Sequence, residues 1–199
     1  MGMTTTADDL PLSRSMRLGD LTIHALEAGL QRLDGGAMFG VVPKPLWQKR
    51  IPADDRNRIP LAMRCLLVEA PDALVLIDTG AGNKDDEKFR EIYGIENEGS
   101  PTRLEDAIRH AGHDPADVDV LISTHLHFDH AGGNTLKEPD GRIRPAFPQA
   151  RLWPEPAHTA LILPIASPVQ PPAGPLWEAP WAPPHWTCSS RRPKRQERC

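Results

Sequence analysis

The sequence predicts a mixed α/β domain, and three observations carry that reading. Apolar, β-branched runs recur at residues 18–26, 63–69, 74–77 and 118–123, each set off by Gly, Pro, Asp or Asn. One amphipathic helix, residues 102–111, falls between the third and fourth runs and gives the strand–helix–strand order of an α/β unit. The fourth run empties into His125-Leu126-His127-Phe128-Asp129-His130, three histidines and an aspartate in six residues. A loop at a strand end is where a rigid scaffold commonly presents a site.

The bulk numbers fit that domain. A chain of 199 residues can bury one real core, and 39% apolar with 25% charged residues is ordinary for a soluble protein. A net charge of −4, with no basic groove visible before residue 151, argues against a nucleic-acid partner. No apolar run approaches the ~18 residues a membrane helix needs. The start, Met1-Gly2-Met3-Thr4-Thr5-Thr6, lacks the basic-then-apolar form of a secretory leader. Its match to a myristoylation pattern at Gly2 and Thr6 is too short to count. Three scattered cysteines, Cys65, Cys188 and Cys199, argue against a disulfide framework and for a reducing, cytoplasmic setting. Cys65 sits in an apolar run and reads as a small core residue.

In chain order, residues 1–17 read as a flexible arm. Residues 18–26 form a first strand, with His24 as a strand-face residue rather than a ligand. Residues 29–60 read as irregular, broken by Asp34-Gly35-Gly36 and by Pro43, Pro45, Pro52 and Pro60. The runs at 63–69 and 74–77, joined by Ala70-Pro71-Asp72-Ala73, form a hairpin. Its second strand ends in Asp78-Thr79-Gly80, which occurs once, whereas an aspartic protease needs two such motifs in a mostly β chain. Residues 83–99 form a polar loop or short helix that Phe89, Ile92 and Tyr93 can pin down. The helix at 102–111 opens on a capping box, Thr102 with Glu105, and stops at Gly112. Its apolar residues Leu104, Ala107, Ile108 and Ala111 share one face, and His110 and His113 read as surface residues at its end.

The spacing of the histidine motif has a physical meaning. Residues two apart on an extended chain point to the same side, so His125 and His127 can approach one ion together. Asp129 and His130 follow where the chain turns and can face a second ion. Imidazole and carboxylate suit Zn²⁺ and its first-row neighbours. Gly132 and Gly133 allow close backbone approach just after them.

The string Thr-His-Leu-His-Phe-Asp-His-Ala-Gly-Gly-Asn at residues 124–134 resembles the metal motif of the metallo-β-lactamase superfamily, in particular its lactonase and organophosphate-hydrolase-like branch. The resemblance covers roughly residues 18–151. It implies an αββα sandwich, truncated here after its first half, with a one- or two-ion centre. His125 and His127 would bind the first ion, and Asp129 and His130 the second, with Asp129 also shuttling a proton. Zn²⁺ is the implied metal, with Mn, Fe or Co as alternatives. Asp78 and Thr124 would steady the ligands from beneath. Met38, Phe39 and Trp47 would wall the substrate pocket, or else simply cover the sheet. The implied activity is hydrolysis of a small ester-like substrate such as a lactone or phosphotriester. An inactive fragment that binds metal weakly and an iron-dependent redox member of the same fold stay open as alternatives. The implied partners are a small-molecule substrate and a second copy of the chain as a homodimer, with no membrane.

Residues 152–199 break the pattern. They hold half of the 22 prolines and four of the five tryptophans, with no Asp, Asn, Phe or Tyr, and end in the basic Arg191-Arg192-Pro193-Lys194-Arg195. His158 and His185 lack the glycine-flanked setting of a third metal histidine. This composition suggests an out-of-frame reading of a GC-rich gene, against a genuine Pro-rich tail. The nucleotide sequence across codons 140–160 separates the two.

Overall fold

A computed structural model of the chain describes Ala7 and residues 10–153. His158, His185 and the Pro/Trp-rich segment from residue 154 lie outside the described residues.

Eight strands and five short helices make up the described part. The strands are β1 (Ser13–Leu18), β2 (Leu21–Asp34), β3 (Arg58–Ala70), β4 (Ala73–Ile77), β5 (Val120–Ile122), β6 (Thr135–Lys137), β7 (Ile143–Pro145) and β8 (Arg151–Trp153). The helices are α1 (Gly35–Phe39), α2 (Lys44–Trp47), α3 (Glu87–Tyr93), α4 (Arg103–His110) and α5 (Phe128–Ala131). The main sheet runs β1-β2-β3-β4-β5-β8. Each neighbouring pair among its first four strands is antiparallel, and β4, β5 and β8 run parallel. Strands β6 and β7 pair as a separate ribbon.

Three boundaries differ from the sequence reading, and each difference has a tertiary cause. The expected arm contributes a strand, because β1 pairs with β2 from Ser13↔Leu26 to Leu18↔Leu21 across the Gly19-Asp20 turn. β2 runs on to Asp34, where irregular chain was expected from residue 29. It does so by inserting one extra residue between Glu27 and Leu30, so that pairing with β3 continues in a shifted register. Gly29 makes this bulge fit: its φ is 121°, and a Cβ there would lie 2.4 Å from the Glu96 carbonyl oxygen. Finally, Leu152 and Trp153, the first two residues of the Pro/Trp-rich stretch, pair in an edge strand, β8.

The core lies between the sheet and α4. Leu26, Leu67 and Leu76 from the strands pack with Leu104, Ala107 and Ile108 from α4 and with Val118, all essentially inaccessible. The capping box at Thr102 and Glu105 forms as expected. Burial pushes the Cys65 thiol well up, so it packs as a neutral, small apolar group. Leu76, on β4, is fully buried. Replacing it with Ala is expected to destabilise the chain by about 2–5 kcal/mol, read as a fall in the urea midpoint. An unchanged midpoint would contradict this core.

Candidate metal centre

The parallel strands β4 and β5 end side by side, and the centre is built on the two loops that leave them. Asp78 follows β4 with a left-handed φ of 60°, unusual for a residue other than glycine. Its backbone N–H donates to the Ile122 carbonyl at 2.8 Å, tying the two strand ends together. Its buried carboxylate gathers the other loop. Thr124 donates its backbone N–H to Oδ1 at 2.8 Å and its hydroxyl to Oδ2 at 2.8 Å. His130 Nδ1 lies 2.8 Å from Oδ2. An ionised carboxylate only accepts, so the His130 proton sits on Nδ1 and the lone pair on Nε2 is presented outward.

The motif loop is stapled further. The His130 carbonyl accepts from the Thr79 backbone N–H at 2.7 Å, and Gly133 N–H donates to the Gly80 carbonyl at 2.9 Å. Lys84 donates to the carbonyls of Gly132 and of Thr135. Burial holds the Lys84 ammonium below its ordinary pKa. From the other side, Phe128 packs edge-on to Phe89 and against Tyr93, which fixes α3 to the loop. Ile92, the third residue expected to pin this segment, is exposed instead.

On this base the four expected ligands share one rim. The His125 and His127 rings are 4.7 Å apart, and those of His125 and His130 are 3.9 Å apart. Asp129 Oδ2 lies 3.5 Å from His130 Nε2 and accepts from Gln31 Nε2 at 2.5 Å. Thr124 Oγ1 is 3.2 Å from His125 Nδ1. Met38, Phe39 and Trp47 sit on α1 and α2. Phe39 stacks on Trp47 at 5.1 Å, Trp47 is buried against Gly35, and Met38 is exposed.

Two contributors escaped the sequence reading, Gln31 and Lys84. Gln31 is buried on the extension of β2, 98 residues from the aspartate it holds. Its local signal is weak, because Gln31 stands beside Arg32 in a stretch, 28–33, whose other residues are Ala, Gly and Leu.

The donor set fits a first-row divalent ion. Three imidazoles and a carboxylate stand together, one imidazole is fixed in its tautomer by Asp78, and Gln31 Oε1 is buried without a partner among the described residues. Shared between two ions, His125, His127, Asp129 and His130 would give two protein ligands to each. The only group of three ligand atoms within 4.8 Å of one another among the described residues lies elsewhere, at His24, Glu69 and His113.

A parallel β4–β5 pair thus carries a His-x-His-x-Asp-His loop held by an aspartate from the neighbouring strand end. The metallo-beta-lactamase superfamily model matches residues 60–136. Among curated proteins, it is 33% identical over 85 residues to an N-acyl homoserine lactonase of Bacillus cereus, covering 39% of this chain and 34% of that one. A probable metal-dependent hydrolase from Staphylococcus aureus superposes with TM-score 0.61 and 38% identity, covering 69% of this chain and 47% of that one. AidC, a dizinc quorum-quenching lactonase, superposes with TM-score 0.51 and 26% identity, covering 71% and 44% respectively. The chain thus spans about a third of the length of the curated relatives it matches. The described mixed α/β arrangement with its multi-strand sheet matches these fold neighbours.

Proposed function

We propose that this chain carries the first half of a zinc-dependent hydrolase site acting on a small ester-like substrate, with lactones favoured. The observation that carries this reading is the Asp78–His130 pair with Gln31 on Asp129, because ligand orientation is fixed before any ion arrives. When bound, a divalent ion supplies Lewis acidity and acidifies water. The residues do the rest. His125 and His127 hold one position, and Asp129 and His130 the other. Gln31 anchors Asp129 through Oδ2, which leaves Oδ1 to carry a proton towards the leaving group. The relatives named as lactonases support the lactone preference. Met38, Phe39 and Trp47 are proposed to contribute an apolar wall through α1 and α2.

A second reading is favoured by the two-ligand count. In it, the chain holds metal weakly and turns nothing over. One experiment decides between the readings: hydrolysis of an N-acyl homoserine lactone by the zinc-loaded full chain and by H125A/H127A. The proposal expects the double variant to lose bound zinc at this site and at least ~100-fold in rate. Equal rates would overturn it, and no turnover by the parent would select the second reading.

A further inference from the structure

At the opposite end of β4 from Asp78, three side chains converge that the hydrolase site does not use. Glu69, near the end of β3, pairs with Leu74 at the start of β4, whereas Asp78 follows that strand's last residue. His24 on β2 and His113, just after α4, both aim Nε2 at Glu69 Oε1, at 2.8 and 2.7 Å. Their rings meet edge to face at 5.5 Å. Sequence reading placed His24 on a strand face and His113 on the surface. Instead His24 is buried and His113 is half-buried, because α4 delivers His113 onto the sheet beside them.

The three donor atoms all lie within 4.8 Å of one another. We propose that His24, Glu69 and His113 form a second divalent-metal site of the two-histidine, one-carboxylate kind suited to Zn²⁺. Three features beyond the ligands support it. Ser15 Oγ lies 2.7 Å from His24 Nδ1 and can either donate to it, while Nε2–H donates to Glu69, or accept a hydrogen bond from Nδ1–H, while Nε2 faces an ion. Ser15 is held there by its cross-strand pairing with His24 in the β1–β2 ladder. The Glu69 side chain is 39% exposed and leaves a way in for the ion and for a water as fourth ligand. The hydrogen bonds already bring both Nε2 atoms to Glu69 Oε1, so an ion would take the place of the protons held there and release them. The ligands come from β2, β3 and the exit of α4, and an ion there would clamp the β1–β2 hairpin to the helix layer.

The test is zinc titration of the full chain against a chromophoric chelator, in a background without the motif ligands, H125A/H127A/H130Q. The expected result is about one zinc retained per chain. Adding H113Q, or separately E69Q, is expected to weaken that binding more than tenfold while the melting midpoint in chelator stays unchanged. The Gln at 113 keeps a donor to Glu69, and Gln at 69 keeps the shape, so each variant preserves the metal-free packing. Loss of all zinc in the motif-free background overturns the proposal. So does zinc binding that neither H113Q nor E69Q changes, since the cluster would then be only a hydrogen-bonded triad. Because the background lacks the motif ligands, this outcome is independent of whether the hydrolase reading survives.

Discussion

Gly133→Ala is expected to leave little folded protein. A Cβ at Gly133 would stand 2.1 Å from the Thr79 carbonyl oxygen and 3.0 Å from Thr79 Cβ. Gly132 is placed in the same way, with a Cβ meeting the Ala81 carbonyl oxygen at 2.3 Å. The two carbonyl oxygens are backbone atoms, so no rotamer change relieves the clash. The loops can part only by breaking the Gly133–Gly80 and Thr79–His130 hydrogen bonds, at 2.9 and 2.7 Å. A cost of about 3 kcal/mol or more follows, a large share of the ~5–15 kcal/mol that holds a domain together. Gly141→Ala is the control. Gly141 has φ 86° but nothing within 4 Å of an added Cβ, so it suffers only the backbone term of about 1 kcal/mol. Urea midpoints of the two variants separate steric approach from conformational preference. A Gly133→Ala midpoint no lower than that of Gly141→Ala would mean the two loops are not packed as described.

The features that could be read in the sequence are those written in short stretches of it. The capping box of α4, the hairpin of β3 and β4, and the motif loop each occupy a few consecutive residues, and each formed. What escaped depends on pairing between distant segments. β2 continues past Gly29 because β3 lies beside it and because Glu96 exchanges hydrogen bonds with Leu30. No run of residues near 29 announces this. Gln31 reaches the site only once that extension exists. His24, Glu69 and His113 look unremarkable singly, since 45 and 44 residues separate Glu69 from its two partners. Burial likewise decides Lys84, whose polar neighbours Asn83, Asp85 and Asp86 read as a solvated loop. The structure instead turns its ammonium onto the carbonyls of the motif loop.

The Asp78 carboxylate separates structural from metal-directed roles through two substitutions. Asp78→Ala removes an acceptor shared by the Thr124 N–H, the Thr124 hydroxyl and His130, at 2.8 Å each. It leaves those donors without a partner and puts alanine where φ is 60°. A loss of about 3 kcal/mol is expected in chelator, together with weaker zinc binding. Asp78→Asn is the more telling variant. Asn tolerates the left-handed conformation, and its carbonyl can replace Oδ1 as the acceptor from Thr124. Its amide nitrogen, in the place of Oδ2, donates where the carboxylate accepted. His130 Nδ1 must then accept, so the ring proton moves to Nε2, the atom that faces Asp129. The fold is expected to survive with a melting midpoint close to the parent's, while zinc affinity at the motif falls ~10–100-fold. Both are measured in the H113Q background, where the second cluster does not contribute. If Asp78→Asn binds zinc as tightly as its parent, Asp78 does not set the His130 tautomer, and the centre is oriented by something else.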